Sequence, residues 1–190
     1  MPLRSLFVTH LYEAAVADDA LLSGLAHSIR SLAQDDAAGR RWSKEHRYAG
    51  YTSYASLNDL PKRDPTVGEL AKLLSRHARS FAHELGWNVK PKLDGLWVNL
   101  LEGRGHHAGH IHPHSIISGT FYVEVPRGSG AIRFEDPRLP LMMAAPQRAD
   151  AFVTVEPRAG LLLMWESWLR HEVLAGSGSG ERLSISFNLA

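Results

Sequence analysis

Gly109-His-Ile-His-Pro-His-Ser-Ile-Ile-Ser-Gly-Thr-Phe-Tyr-Val-Glu-Val125 carries a His-x-His doublet straight into a run of β-forming residues. Residues two apart on an extended strand point to the same face, so His110 and His112 present two imidazoles to one point in space. The run that follows, Ile116–Val125, reads as a strand. Runs of the same kind recur at Gly95–Leu101, Ala131–Phe134, Phe152–Val155, Gly160–Trp165, Arg170–Leu174 and Arg182–Leu189, most of them separated by Gly, Pro or Ser clusters. Helical periodicity is confined to the other half of the chain. Helices first and strands after predict a mainly β fold, a barrel or sandwich with N-terminal helices laid against it.

Two amphipathic helices are legible before the strands. Between about Asp18 and Gln34, Leu22, Leu25, Ile29 and Leu32 recur at helical spacing. Thr66-Val-Gly-Glu69 has the form of a capping box. Behind it Val67, Leu70, Leu74, Ala78, Phe81 and Leu85 make one stripe that ends at Gly86. The stretch between, Trp42 to Pro65, reads as a loop. Its Tyr48, Tyr51 and Tyr54, with Trp168 further on, are either the lining of a ligand entrance or ordinary packing residues.

A length of 190 residues suits a single core, with 1–90 as helical layer and loop and 91–190 as the β unit. Apolar residues at 44% and charged residues at 22% are the balance of a globular chain rather than a disordered one. The net charge of +1 supplies no broad basic field, so no nucleic-acid partner is expected. Met1 to Val16 holds no apolar run long enough for a signal segment or a membrane span, so a cytoplasmic location with no membrane partner is expected. With no cysteine, a disulfide scaffold, a thiolate zinc site, an iron–sulfur cluster and a cysteine nucleophile are all excluded, and any metal must be held by nitrogen and oxygen.

Four of the eleven histidines, His107, His110, His112 and His114, fall within eight positions. The spacing alone leaves open an incidental His-rich loop. His106 and His107, among glycines, read as loop residues. A third metal ligand must come from elsewhere in the chain, and His171, at the start of a strand, is the candidate. If Gly176-Ser-Gly-Ser-Gly180 closes a hairpin, Arg182 or Ser184 stands opposite His171, and a guanidinium beside a metal suits a carboxylate ligand. A solvated strand end is the other reading of Arg182.

Taken in order, the His-x-His-Pro doublet, Ser115-x-x-Ser-Gly-Thr-Phe-Tyr-Val123, Asp136-Pro-Arg138, Ser167-Trp-Leu-Arg-His171 and Arg182-x-Ser-Ile-Ser-Phe-Asn188 resemble the iron(II)/2-oxoglutarate-dependent oxygenases. The similarity is greatest to a bacterial subgroup of such oxygenases and spans about Trp97 to Leu189. The resemblance implies a double-stranded β-helix (jelly-roll), two facing antiparallel sheets with a metal at the open end. It implies Fe(II) held by His110, His112 and His171. It also implies 2-oxoglutarate as cosubstrate, its far carboxylate on Arg182 helped by Ser184 and Tyr122, with Asn99 lining the same pocket. The implied activity is hydroxylation of an unidentified small molecule or peptide.

His112 stands where most members of that family carry an Asp or Glu. A third neutral imidazole leaves the ion at its full +2 charge, which dianionic 2-oxoglutarate would offset. Glu102, Glu124 and Glu166 are nearby carboxylates, none at the i+2 position. Two other readings remain: a cupin-like three-histidine dioxygenase that needs no 2-oxoglutarate, and a metal- or ligand-binding module without turnover. Arg182 separates the 2-oxoglutarate reading from both, because it is needed to hold 2-oxoglutarate and has no necessary role in either of the others. A Ser-His-Asp hydrolase ranks last, since no Gly-x-Ser-x-Gly elbow is present.

Overall fold

Strand β10 (Arg182–Leu189) shows how the chain is divided. Its side chains alternate, so Leu183, Ile185, Phe187 and Leu189 enter a hydrophobic core while Arg182, Ser184, Ser186 and Asn188 line a cavity on the opposite face. The computed structural model describes residues 4–138 and 151–190, so the first three residues of the Met1–Val16 stretch lie outside the described residues. Two neighbouring strands obey the same rule. In β3 (Leu93–Leu101), Leu96, Val98 and Leu100 go to the core and Trp97 and Asn99 to the cavity. In β5 (Ile117–Glu124), Ile117, Phe121 and Val123 go to the core and Thr120 and Tyr122 to the cavity.

These three belong to a six-stranded antiparallel sheet in the order β1-β8-β5-β10-β3-β2, with β1 (Leu11–Ala15), β2 (Gly50–Thr52) and β8 (Leu161–Glu166). A four-stranded sheet faces it in the order β4-β9-β6-β7, formed by β4 (His107–His110), β6 (Ile132–Glu135), β7 (Phe152–Val155) and β9 (His171–Val173). Tyr122, Leu163 and Trp165 of the larger sheet pack against Ile132 and Phe134 of the smaller one, closing the sandwich on one side of the cavity. This is the expected mainly β jelly-roll. The seven runs read as strands are all strands.

On the outer face of the larger sheet lie α1 (Asp19–Asp35) and α4 (Pro65–Glu84), which seat Leu21, Leu25 and Ile29, and Val67, Leu70, Leu74 and Phe81, in the same core. Helix α4 begins two residues earlier than the capping box predicts. Asp64 is the cap, and its Oδ1 accepts from the backbone N–H groups of Thr66 and Val67, because a carboxylate beside two free amides and ahead of Pro65 outcompetes the Thr66 hydroxyl. At the other end Gly86 takes the left-handed conformation (φ 70°) that stops the helix.

Three expectations need correction. The stretch before residue 91 is not purely helical, since β1 and β2 complete the larger sheet at its two edges. Within Trp42–Pro65, helix α2 (Ala37–Glu45) runs past Trp42, and β2 and the short α3 (Leu60–Arg63) follow. Lastly, Gly176–Gly180 is not a hairpin tip. β9 pairs with β4 and β6, β10 with β3 and β5, so the link passes from one sheet to the other. Its glycines serve close approach: a Cβ on Gly176 would meet the carbonyls of Gly103 and Gly128, and one on Gly178 the carbonyl of Arg127.

A close approach inside the larger sheet falls at Gly119, where an added Cβ would fall on the Phe187 ring and 2.6 Å from the Leu163 carbonyl oxygen. Gly119→Ala is therefore expected to destabilise the protein by about 1–3 kcal/mol through overpacking, read as a lower urea midpoint at constant slope. An unchanged midpoint would show that β5 and β8 separate freely there.

Candidate metal centre

His110 ends β4 and lies directly opposite His171, the first residue of β9, while the backbone N–H of His112, two residues on, donates to the Ser167 carbonyl. These pairings gather three imidazoles. Ring centroids are 5.0 Å apart for His110 and His112, 4.5 Å for His110 and His171, and 5.2 Å for His112 and His171. One nitrogen from each lies within 4.8 Å of the other two.

The tautomers follow from the neighbours. Nδ1 of His110 is 2.7 Å from the Ala108 carbonyl, and Nδ1 of His171 is 2.9 Å from that of Leu169. A carbonyl only accepts, so Nδ1 carries the proton in both rings and Nε2 keeps its lone pair, the arrangement that orients imidazoles for a metal. Nε2 of His171 is 3.4 Å from Nε2 of His112. Donors bound at about 2.1 Å to one ion at tetrahedral to octahedral angles stand roughly 3.0–3.4 Å apart, so this donor set fits a divalent cation. No carboxylate joins the group among the described residues. Glu124 is paired with Arg30 at 2.6 Å, Glu102 is exposed, and Glu166 lines an outer groove.

Burial keeps the His112 and His171 rings neutral. It pulls His171 down to about 3, with His110, His112 and His107 pushing the same way against the Leu169 carbonyl, and His112 down to about 4, with His110 adding to it. His107 is likewise lowered to about 4 by burial and by Arg182, His110 and His106. Neutral imidazole is the ligating form, so at neutral pH no proton competes for His112 or His171.

The histidines open into a cavity of about 660 Å³, within the range of small-molecule sites. At its deep end Arg182 is 4% exposed. Its Nη1 donates to the Gly130 carbonyl at 2.9 Å, its Nε is buried without a partner, and its guanidinium lies 5.8 Å from the Tyr122 ring centre. Burial pushes the Tyr122 hydroxyl up to about 12 although Arg182 pulls it back, so it remains a donor. Ser184 lines the wall between Tyr122 on β5 and Asn99 on β3, its two cross-strand neighbours. Asn99 is in the cavity wall, yet its polar atoms are engaged. Oδ1 accepts from Thr52 at 2.9 Å and Tyr48 at 3.3 Å, and Nδ2 donates to Ser186 at 3.0 Å.

Arg182 and His171 thus share the cavity, as expected, but from facing sheets and not across a hairpin. His107 is not a loop residue. A bulge between His107 and His110 brings both inward despite their spacing of three, and His107 Nε2 meets the Tyr48 hydroxyl at 3.0 Å. Tyr48 reaches it because Arg47, in the left-handed conformation (φ 54°), ends α2 and turns the chain inward, with Tyr48 N–H bonded to the Ser43 carbonyl. No spacing in the sequence announces this. Tyr51 is a packing residue whose hydroxyl donates to Asp36 at 2.8 Å, His106 and His114 sit at the exposed rim, and Asp136 and Arg138 pair with each other.

Residues 95–188 match the family described as "Putative 2OG-Fe(II) oxygenase". No curated protein sequence matches the chain. Among solved structures, a Pseudomonas putida prolyl-4-hydroxylase is similar in fold at 17% identity, over 95% of this chain and 92% of that one, with a TM-score of 0.66. The epimerase SnoN, crystallised with Fe3+, alpha ketoglutarate and nogalamycin RO, is 18% identical over 95% of this chain and 78% of its own, with a TM-score of 0.66. HygX from Streptomyces hygroscopicus with iron bound is 13% identical over 96% and 82%, with a TM-score of 0.62.

His112→Ala and His171→Ala are each expected to abolish stoichiometric divalent-metal binding in a dialysis and metal-analysis assay, while His114→Ala retains it. Full metal content in His171→Ala would move the site elsewhere. Because His107, His112 and His171 titrate lower when folded than the usual 6.5 or so, the unfolded chain binds the extra protons. Metal-free protein should therefore be most stable above about pH 6.5 and lose stability as pH falls toward 4, less steeply in a His107→Gln, His171→Gln double variant.

Proposed function

Because this chain belongs, through residues 95–188, to the 2OG-Fe(II) oxygenase family, we propose that it binds Fe(II) at His110, His112 and His171 and 2-oxoglutarate at Arg182, and hydroxylates a small molecule or peptide. Bound iron would supply the oxygen chemistry, coupled to oxidative decarboxylation of 2-oxoglutarate to succinate and carbon dioxide. The three histidines supply neutral donors on one side and leave the side toward the cavity open for ligands. The observation that carries the cosubstrate assignment is Arg182, a buried guanidinium with an unsatisfied Nε in the histidine cavity.

Burying that charge without an anionic partner is costly, and a carboxylate accepting from its fork repays the cost. Among the described residues no carboxylate lies within salt-bridge distance of Arg182, which supports an anion supplied from outside. The Tyr122 hydroxyl, held protonated, and that of Ser184 lie on the same wall and add donors beside it. Asn99 acts differently from a direct contact. With its amide committed to Thr52, Tyr48 and Ser186, it fixes the wall along which the cosubstrate lies. The uncompensated ion charge at a three-histidine site favours a dianionic ligand over a neutral one. A three-histidine dioxygenase without a 2-oxo acid has no role for Arg182.

Under anaerobic conditions, 2-oxoglutarate added to the Fe(II)-loaded protein should produce the weak visible absorption of a chelated 2-oxo acid. Arg182→Ala should weaken the titration at least tenfold, the loss of a charged hydrogen-bond partner costing about 1.5–3 kcal/mol. Equal affinity in the folded variant would refute the cosubstrate role of Arg182.

A further inference from the structure

His107 lines the cavity but takes no part in the metal group. In the smaller sheet His110, His171 and Phe134 lie side by side in one row, and His107, Val173 and Ile132 in the next. Along β9 and β6 the rows are two residues apart, about 6.6 Å at about 3.3 Å per residue. The second row belongs to the Arg182 end of the cavity. Ile132 packs with Tyr122, and Gly130, just before it, receives the Arg182 guanidinium. In the larger sheet Leu101 pairs with both Arg182 and Gly50, which brings the neighbouring Tyr48 to the same end. Electrostatics give the same grouping. Beyond burial, which dominates, Arg182 lowers His107 and pulls on Tyr48 and Tyr122, whereas the charges acting on His112 and His171 are those of other histidines.

The two nitrogens of the His107 ring are placed differently. Nε2 meets the Tyr48 hydroxyl at 3.0 Å, and that hydroxyl is also 3.3 Å from Asn99 Oδ1. Nδ1 has no hydrogen-bond partner among the described residues and is not shut in, since the buried side-chain atoms without a partner there are Trp165 Nε1 and Arg182 Nε. It is therefore open to the cavity that the ring lines. Burial keeps the ring neutral at neutral pH, so it carries a single proton. With Tyr48 between two acceptors, the hydrogen bonds can run either way. In one direction Nε2–H donates to Tyr48 and Tyr48 to Asn99, which leaves a lone pair on Nδ1. In the other Tyr48 donates to Nε2, and Nδ1 carries the proton. Asn99 Oδ1 keeps Thr52 as a donor in both. A carboxylate only accepts, so one held at Arg182 selects the second direction, and it does so without adding a charge to a buried ring.

Resting on the oxygenase reading of the same site, we propose that His107 is a cosubstrate-binding residue, its Nδ1–H donating to the far carboxylate of 2-oxoglutarate while Tyr48 O–H donates to Nε2 and holds that tautomer. The carboxylate then lies between the sheets, with Arg182, Ser184 and Tyr122 on the larger and His107 on the smaller. A 2-oxo acid of the same length that lacks this carboxylate leaves Nδ1 with nothing to bond, so the pair selects for 2-oxo dicarboxylic acids.

The full chain loaded with diamagnetic Zn(II) is titrated by calorimetry with 2-oxoglutarate and with 2-oxopentanoate, its monocarboxylate counterpart. Asn places its amide nitrogen where histidine has Nδ1, and Gln where histidine has Nε2. His107→Gln should therefore weaken 2-oxoglutarate at least fivefold, leave 2-oxopentanoate within twofold and keep its metal, while His107→Asn stays within twofold of the parent for both acids. A role confined to holding Tyr48 gives the reverse order, with Gln the better substitute, and overturns the proposal. Nitrogen NMR of the parent protein with Zn(II) and 2-oxoglutarate should show the His107 proton on Nδ1, the signals being assigned by their absence from His107→Gln or, if that variant does not fold, from His107→Asn. A proton on Nε2 in that complex overturns the proposal as well. Weakened 2-oxoglutarate binding in Arg182→Ala with none in His107→Gln overturns this inference alone, whereas parental binding in Arg182→Ala removes the oxygenase reading and the inference with it.

Discussion

The alternation of side chains along β10 is the constraint on which the rest of the molecule depends. A strand has only two faces, and here one is committed to Leu183, Ile185, Phe187 and Leu189 in the helical core and the other to Arg182, Ser184, Ser186 and Asn188 in the cavity. The cavity can be polar because the same strand anchors the core behind it. A slip of one residue would put a guanidinium into the packing of α1 and α4 and a leucine into the polar cavity beside the histidines, so core and cavity select the same register.

This alternation is also why so much of the fold is legible in the sequence. Where β3, β5 and β10 carry a large apolar residue at every second place, strand, face and partner compartment can be read from the residues alone. Legibility fails where function of the backbone replaces pattern. Gly176–Gly180 looks like a flexible tip, but its glycines are used for contact between chain crossings, which composition does not distinguish from a turn. β1 and β2 are short edge strands among polar neighbours and leave little periodic signal.

The candidate site divides the same way. The His110–His112 doublet is visible because two-residue spacing on a strand is geometry written directly into sequence, and His171 and Arg182 follow from the family resemblance. His107 is hidden by a bulge that breaks the spacing, and Tyr48 by a left-handed residue, Arg47, at a position where glycine is usual. Such local departures have no periodic signature, and together they tie the edge of the smaller sheet to the connector between α2 and β2 through one hydrogen bond.

The glycine contacts also bear on heredity of function. Gly130, whose carbonyl receives Arg182, sits against the backbone of Leu174, and the crossings at Gly103, Gly128 and Gly176 crowd the same place. The aim of the Arg182 guanidinium is thus set by main chain from three separate links. A single base change in what reads as a dispensable Gly/Ser linker would reach the chemistry without touching any residue that carries it, so variation within this linker is a poor guide to neutral drift.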